Sequence, residues 1–295
     1  MTGSPSNHQT RRSGRAGRVA LSVAAVGAVV WLLVAVQVVA PASGAYFARL
    51  TNTTNTTATN PYFTCRAAVV GEAATNAYVA YPMGEPSGTT ATDVSGNAHP
   101  GLYTPAGITY NQPGPCPRDT PARTAVTLNG SIGYLSGPAT AQTGPNTFSI
   151  EIWFRTTIAG GKLIGFGNLL TGPSTNYDRH LYIDTGGLLV FGVYPNAVKT
   201  ISSPTTVADG RWHHAIGTLS AAGQMLYLDG QLVATNTGVT TAQTFTGYWR
   251  IGYDNLTGWT NAPTNAFFTG SLAWAATYPY ALTGPQVAAH RAAGL

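Results

Sequence analysis

Charge is what this sequence has least of. Only 8% of its 295 residues are Asp, Glu, Lys or Arg, about a third of the ~25% usual in soluble domains, which argues against a long solvated helical bundle. The formal net charge of +5 does not restore a nucleic-acid-binding face, because Arg11, Arg12, Arg15, Arg18, Arg49 and Arg66 all precede the first acid, Glu72. From Glu72 onward nine Lys or Arg stand against ten Asp or Glu, so the basicity belongs to the N-terminus and no nucleic acid is expected as a partner. The two cysteines have no CxxC spacing, and the three methionines and scattered histidines suggest no redox centre. No Ser-His-Asp spacing, phosphate-cradling glycine loop or metalloprotease motif is present.

The chain does have a strong start. Residues 1–18 form a basic segment, and residues 19–40 are an apolar run in which only Ser22 and Gln37 are clearly polar. A helix of that length, at about 1.5 Å per residue, crosses a ~30 Å hydrocarbon layer. Positive charge on its N-terminal flank holds that end in the cytoplasm and exports the chain beyond Pro41. Residues 19–45 are therefore read as a transmembrane helix or a signal peptide, with Ser43-Gly44-Ala45 offering small residues for cleavage. An extracytoplasmic protein, membrane-anchored or secreted, is expected.

Residues 46–75 include TNTTNTTATN and read as a Thr/Asn-rich stalk. Outside the cytoplasm Cys65 and Cys116 most simply form one disulfide, pinning the stalk to the domain. Asn52, Asn55, Asn129 and Asn255 sit in glycosylation sequons, which a Thr/Asn-rich chain also generates by chance.

From residue 76 to 295 the pattern is all-β: short runs of apolar alternation separated by Gly, Asp, Asn and Pro turns. In the clearest strand Phe148, Ile150, Ile152 and Phe154 share one face, and Ser149, Glu151, Trp153 and Arg155 share the other. Asp229-Gly230 marks a two-residue hairpin, Asp184-Thr185-Gly186-Gly187 a longer one, and Asp209-Gly210 a turn before Trp212-His213-His214. A dozen such strands imply two packed antiparallel sheets. Only the end reads as helical, opened by the capping-box form Thr283-Gly284-Pro285-Gln286.

The order of these motifs resembles the laminin-G-like jelly roll of the concanavalin-A-like lectin and glucanase superfamily. The resemblance rests on Glu85-Pro86-Ser87-Gly88 with Asp93-Val94-Ser95-Gly96-Asn97, on the strand from Phe148, on Asp209-Gly210-Arg211-Trp212-His213-His214, on Leu226-Tyr227-Leu228-Asp229-Gly230, and on Gly270-Ser271-Leu272-Ala273 with Tyr278 and Ala281-Leu282-Thr283. It implies a two-sheet sandwich that binds carbohydrate, a surface protein or another extracellular ligand, often with one structural calcium ion. It leaves open a cell-surface assembly subunit, for which the stalk is the motivating feature, and a glycoside hydrolase.

Hydrolysis needs two carboxylates about 5–10 Å apart, and Glu151 has no second acid on its strand face; no catalytic residue is assigned. Glu151 is instead expected to be structural, neutralised by His213 or Arg155, because a charge in a sandwich must find a partner. Asp93 and Asn97 are the candidate calcium ligands, in a loop where the family often binds that ion; the competing reading is an Asx turn bonded to its own backbone. Ala273 stands where family members commonly carry an acid, which weakens the calcium expectation. His213 and His214 point to opposite faces of a strand and cannot chelate one metal together. Tyr253, Asp254, Asn255 and Trp259 are the candidate ligand-binding residues, aromatic rings for sugar faces and polar groups for hydroxyls, against the alternative of core or rim packing.

Overall fold

The structure is a computed structural model that describes residues 62–71, 77–122 and 124–295. The basic segment, the apolar run and most of the stalk lie outside the described residues, as do Asn52 and Asn55. Among the described residues no helix is long and apolar enough to cross a membrane.

Two antiparallel sheets form the body. Across the first, the strands run in the order Gln231–Asn236, Gly223–Leu228, His213–Ser220, Phe148–Arg155, Thr269–Tyr278, Thr124–Asn129 and Ile108–Pro113. Thr269–Tyr278 is shared: its first half pairs with Thr124–Asn129, and its second half with Val79–Tyr81. The second sheet runs Lys199–Thr206, Leu188–Val193, Tyr177–Ile183, Gly161–Gly167, Thr246–Ile251, Leu135–Ser136, Gly101–Tyr103 and Thr90–Ala91, with Gln142–Thr143 beside Thr246–Ile251.

Alternation explains the packing. Phe148, Ile150, Ile152 and Phe154 are fully buried between the sheets, where they join Phe166, Leu181, Ile183, Phe191 and Trp249 in one core. Burying each such side chain stabilises by roughly 1.5–3 kcal/mol, before the entropy of ordering the chain is set against it. At the expected hairpin, Asp229 and Gly230 both adopt positive φ, 51° and 84°, the backbone that matches strand twist and that glycine supplies without strain. The Asp184 turn and the strand after Asp209-Gly210 also form as read, the latter beginning at His213.

The other face of the Phe148–Arg155 strand is buried as well. Trp153 meets Ile216, Tyr227, Ala276, Tyr278, Leu282 and Val287 in a second apolar cluster. Part of its cover is the C-terminal helix Gly284–Ala293, which buries Val287, His290 and Ala293. It opens as the sequence predicts: the Gln286 side-chain oxygen accepts the Thr283 backbone N–H at 2.8 Å.

The rest of the cover corrects two readings. Residues 65–70, assigned to the stalk, form a helix, Cys65–Val70, so the C-terminus is not the only helical segment. Thr64 caps it by accepting from the Ala67 N–H at 3.0 Å, and Cys65, Ala68 and Val69 share the buried side at helical spacing. Cys65 is bonded to Cys116, 51 residues on; closing a loop of that size stabilises by about 4 kcal/mol on the chain-entropy model. Both sulfurs being spent in that bond, neighbouring Asp119 does not complete a metal site with them.

Candidate functional site

Glu151 is 1% exposed and lies beneath the C-terminal helix. Its partners differ from those expected. His214 Nε2 lies 2.7 Å from Oε1, His290 Nδ1 3.0 Å from Oε2, and the Tyr278 hydroxyl donates to Oε2 at 2.5 Å. The reason is strand parity. His214 stands opposite Trp153 and so shares the face of Glu151, whereas His213 stands opposite Phe154 on the other face. His213 instead sits between Asp229, at 2.7 Å, and Asp209, at 3.1 Å, and the Arg155 guanidinium lies over the Trp212 ring.

Burial works against ionisation of Glu151, but the His290 and His214 imidazoles outweigh it and hold the carboxyl well below its ordinary range. Burial pushes the His214 pKa down, with Glu151 opposing. A carboxylate whose oxygens are occupied by three side chains, in a cluster with 1% exposure, has no room for a substrate; it ties the helix to the sheet.

Asp93 is saturated by its own neighbourhood. Oδ1 accepts from the Ala80 and Ser95 N–H groups at 2.9 and 3.0 Å, and Oδ2 accepts from the Ser95 hydroxyl and the His99 N–H at 2.7 and 3.0 Å. The Asn97 amide nitrogen donates to the Ala77 and Tyr78 carbonyls. Four donors aimed at one carboxylate, and an Asn97 amide nitrogen committed to two main-chain carbonyls, satisfy the loop without a cation, and this donor set does not fit calcium.

The second sheet covers its outer face differently. There His180 stands opposite Gly192 and Tyr182 opposite Val190, and the connection formed by residues 253–267 lies across them. Leu256 and Trp259 pack with Tyr182 and Val190. A Cβ at position 192 would lie 2.5 Å from the Trp259 ring, which is why this position is glycine. Hydroxyls fasten the loop: Tyr177 donates to the Thr257 carbonyl at 2.8 Å and Tyr182 to that of Thr260 at 2.5 Å. Beneath it the fully buried Lys162 donates to the Asn255 carbonyl at 3.0 Å and faces Asp254 at 3.8 Å. Burial lowers the Lys162 pKa to about 8, with Asp254 opposing.

The four candidate ligand residues are thus divided. Asp254 is buried and accepts from the Ser174 and Asn255 N–H groups, and the Asn255 side chain bonds the Ser174 carbonyl and the Thr257 N–H. Their polar atoms hold the loop together. Tyr253 stacks on Phe267 at 3.6 Å in an open, mostly apolar cleft of about 520 Å³ that also borders Tyr103, Tyr134 and Ile132. Trp259 forms a wall of a different groove.

That groove, of about 290 Å³, is walled by Tyr177, Tyr194 and Trp259 and carries the carboxamides of Asn176 and Gln243. A buried ion pair outside the lining holds two of these residues in place. The Asp178 carboxylate accepts from the backbone N–H groups of Tyr194 at 2.8 Å and Gln243 at 2.6 Å, and pairs with Arg179 at 3.2 Å. Arg179 in turn donates to the Gln243 and Pro145 carbonyls at 2.9 and 3.0 Å. Burial raises the Asp178 pKa, with Arg179 opposing. Two groove residues from different loops are therefore fixed by one carboxylate, so the walls are preorganised rather than assembled on binding.

Sequence reading missed every member of this groove except Trp259. One signal was present: Asp178-Arg179-His180, three polar residues in succession within a strand of a chain that spends charge sparingly.

No curated protein matches the chain. Among solved structures, the binding domain of Paraclostridial Mosquitocidal Protein 1 is similar at TM-score 0.52 and 14% identity, over 72% of this chain and 51% of that one. Trypanosoma rangeli sialidase is similar at TM-score 0.50 and 15% identity, over 73% of this chain and 33% of the enzyme. The chain thus spans about half of one and a third of the other, and the likeness is one of fold. Residues 129–288, more than half the sequence, match the Laminin_G_3 model. With the two-sheet sandwich in place, the chain belongs to that family of the concanavalin A-like lectin/glucanases superfamily.

Proposed function

We propose that this protein is an exported, non-catalytic module that binds carbohydrate through the groove beside Trp259. The observation that carries the reading is the wall composition: two partly exposed tyrosine rings, Tyr177 and Tyr194, to lie against sugar faces, backed by Trp259, which is 7% exposed, with Asn176 and Gln243 to read hydroxyls and Asp178 fixing the backbone of Tyr194 and Gln243. The fold is shared with both a binding domain and a hydrolase and leaves the activity open. Against hydrolysis, no carboxylate among the described residues lines the groove, and Glu151 is enclosed on the outer face of the other sheet. Export is supported by the arginine-flanked apolar run and by the Cys65–Cys116 bond, which persists in oxidising compartments. Anchored and secreted forms serve the reading equally.

A second reading, docking to a surface protein as an assembly subunit, draws on the apolar cleft beside Tyr253, where Ile132 is 49% exposed. A glycan array with the purified protein separates the two. Tyr194→Ala is expected to weaken glycan retention about tenfold, the worth of one stacked ring at about 1.4 kcal/mol, and Trp259→Ala to weaken it at least as much by removing the buried ring that backs the groove, while Tyr253→Ala leaves it unchanged. No retention by a folded sample, or loss only with Tyr253→Ala, refutes the Trp259 groove as the site.

A further inference from the structure

We infer that the Trp259 groove selects uncharged glycans and needs neither a metal ion nor a charged anchor to hold them. This rests on the carbohydrate reading above and narrows it. Among the described residues no carboxylate, ammonium, guanidinium or imidazole lines the groove. The charges that lie under it are already committed. Asp178 faces Arg179, whose guanidinium also donates to two carbonyls, and Lys162 faces Asp254 while donating to the Asn255 carbonyl. His180, edge-on to Trp259 at 4.4 Å and fully buried, is held well below the ordinary imidazole range by burial.

A sugar carboxylate or sulfate seated here would leave water without a cation to meet it, a cost that the stacking of one ring does not offset. A neutral pyranose or furanose loses little: its C–H faces lie on Tyr177 or Tyr194, in front of the largely buried Trp259, and its hydroxyls meet the Asn176 and Gln243 amides, each able to donate and accept. For the same reason the groove offers a hard divalent cation neutral carbonyl oxygens and no carboxylate, and a calcium bridge between protein and sugar is not expected at this point. The exposed cation nearest in sequence is Lys199, which comes directly after the groove residue Val198 and is itself absent from the lining.

Titration calorimetry of the full chain against neutral oligosaccharides and the same backbones bearing sialic or uronic acid tests this. The expected result is binding of a neutral series with an affinity that changes less than about twofold between low salt and ~0.5 M salt, where exposed charge pairs are screened. Chelation by EDTA and Lys199→Ala are expected to leave it unchanged, and Trp259→Ala to weaken it by at least about tenfold. A tenfold preference for the acidic sugars, a steep loss with salt, or abolition by EDTA would overturn the inference; if Trp259→Ala still removed that binding, the groove itself would stand. Retention of neither series by folded protein removes the carbohydrate reading as well.

Discussion

The two sheets turn similar faces inward and very different faces outward. The first carries two helices over part of its outer face; beneath the C-terminal one Glu151 is closed off by two imidazoles and a phenol, while an open cleft of about 330 Å³ lined by Arg66, Asp119, Thr124 and Trp274 remains beside the other. The second is crossed by a single irregular connection whose flanks leave a groove on one side and a cleft on the other. Both coverings bury charge, but to different ends. Under the helices the buried charge fastens the cover; under the loop the Asp178–Arg179 pair fixes backbone that faces solvent. A helix buries one continuous stripe beneath itself, whereas a loop that is pinned at a few hydroxyls lets side chains from neighbouring strand ends reach the surface.

The largest effect that would break this contrast comes from Glu151→Ala. Leaving His214, His290 and Tyr278 without their shared acceptor is expected to cost about 3–5 kcal/mol, read as a lower urea midpoint, with glycan retention by the folded fraction unaltered. The pH dependence has a definite sign. The Glu151 carboxyl is depressed in the folded state, so its contribution is present above its ordinary value of 4.5 and is lost as pH falls through the folded one. His214 is also depressed, so the unfolded chain takes up its proton first and stability falls as pH drops below 6.5. In the parent both push the same way; in the variant the Glu151 loss below 4.5 disappears, whereas His214, without the carboxylate that opposed burial, is depressed further, so the curve is expected to fall more below 6.5 and to flatten only below 4.5.

A smaller effect on the opposite sheet comes from Gly192→Ala. The added methyl meets the rigid Trp259 indole at 2.5 Å, and overpacking of this kind costs about 1–3 kcal/mol. Here the loss of glycan retention is expected to exceed the loss of stability, the reverse of Glu151→Ala. An unchanged affinity would show that Trp259 is packing and not a wall of the site.

The smallest signal lies within one strand. His213 and His214 are consecutive, yet NMR titration is expected to place them on opposite sides of 6.5. Burial lowers both, but at His213 the carboxylates of Asp229 and Asp209 more than offset it and raise the pKa, whereas at His214 burial prevails. The His213 contribution is therefore complete below 6.5 and lost as pH rises through its folded value, opposite in sign to that of its neighbour. Titration of both on the same side would show that the two faces are not electrically distinct.

Sheet structure was legible in the sequence because period-two alternation and turn chemistry are local. The strand from Phe148, the Asp229-Gly230 hairpin and the Thr283–Gln286 cap needed no knowledge of distant residues. The Cys65–Val70 helix was hidden because its six residues come after a Thr/Asn tract and are too few to display a period. The Glu151 partners were misread because they come from 63, 127 and 139 residues away, and only the register decides which of two adjacent histidines arrives. The groove was nearly invisible for the same reason: Tyr177 opens a strand, while Tyr194, Gln243 and Trp259 belong to three separate connections, and the topology of the sheet alone brings them together.

The shared strand Thr269–Tyr278 also sets the order in which the molecule can assemble. Ala80, near the beginning of the sandwich, finds its backbone partner in Ala276, and the Cys116 N–H bonds to the Gly294 carbonyl at 3.1 Å. A ribosome must therefore release almost the entire polypeptide before the first sheet can close. Such long-range pairing folds slowly, which suits the proposed export, since a chain must remain threadable until it has passed through a translocation channel.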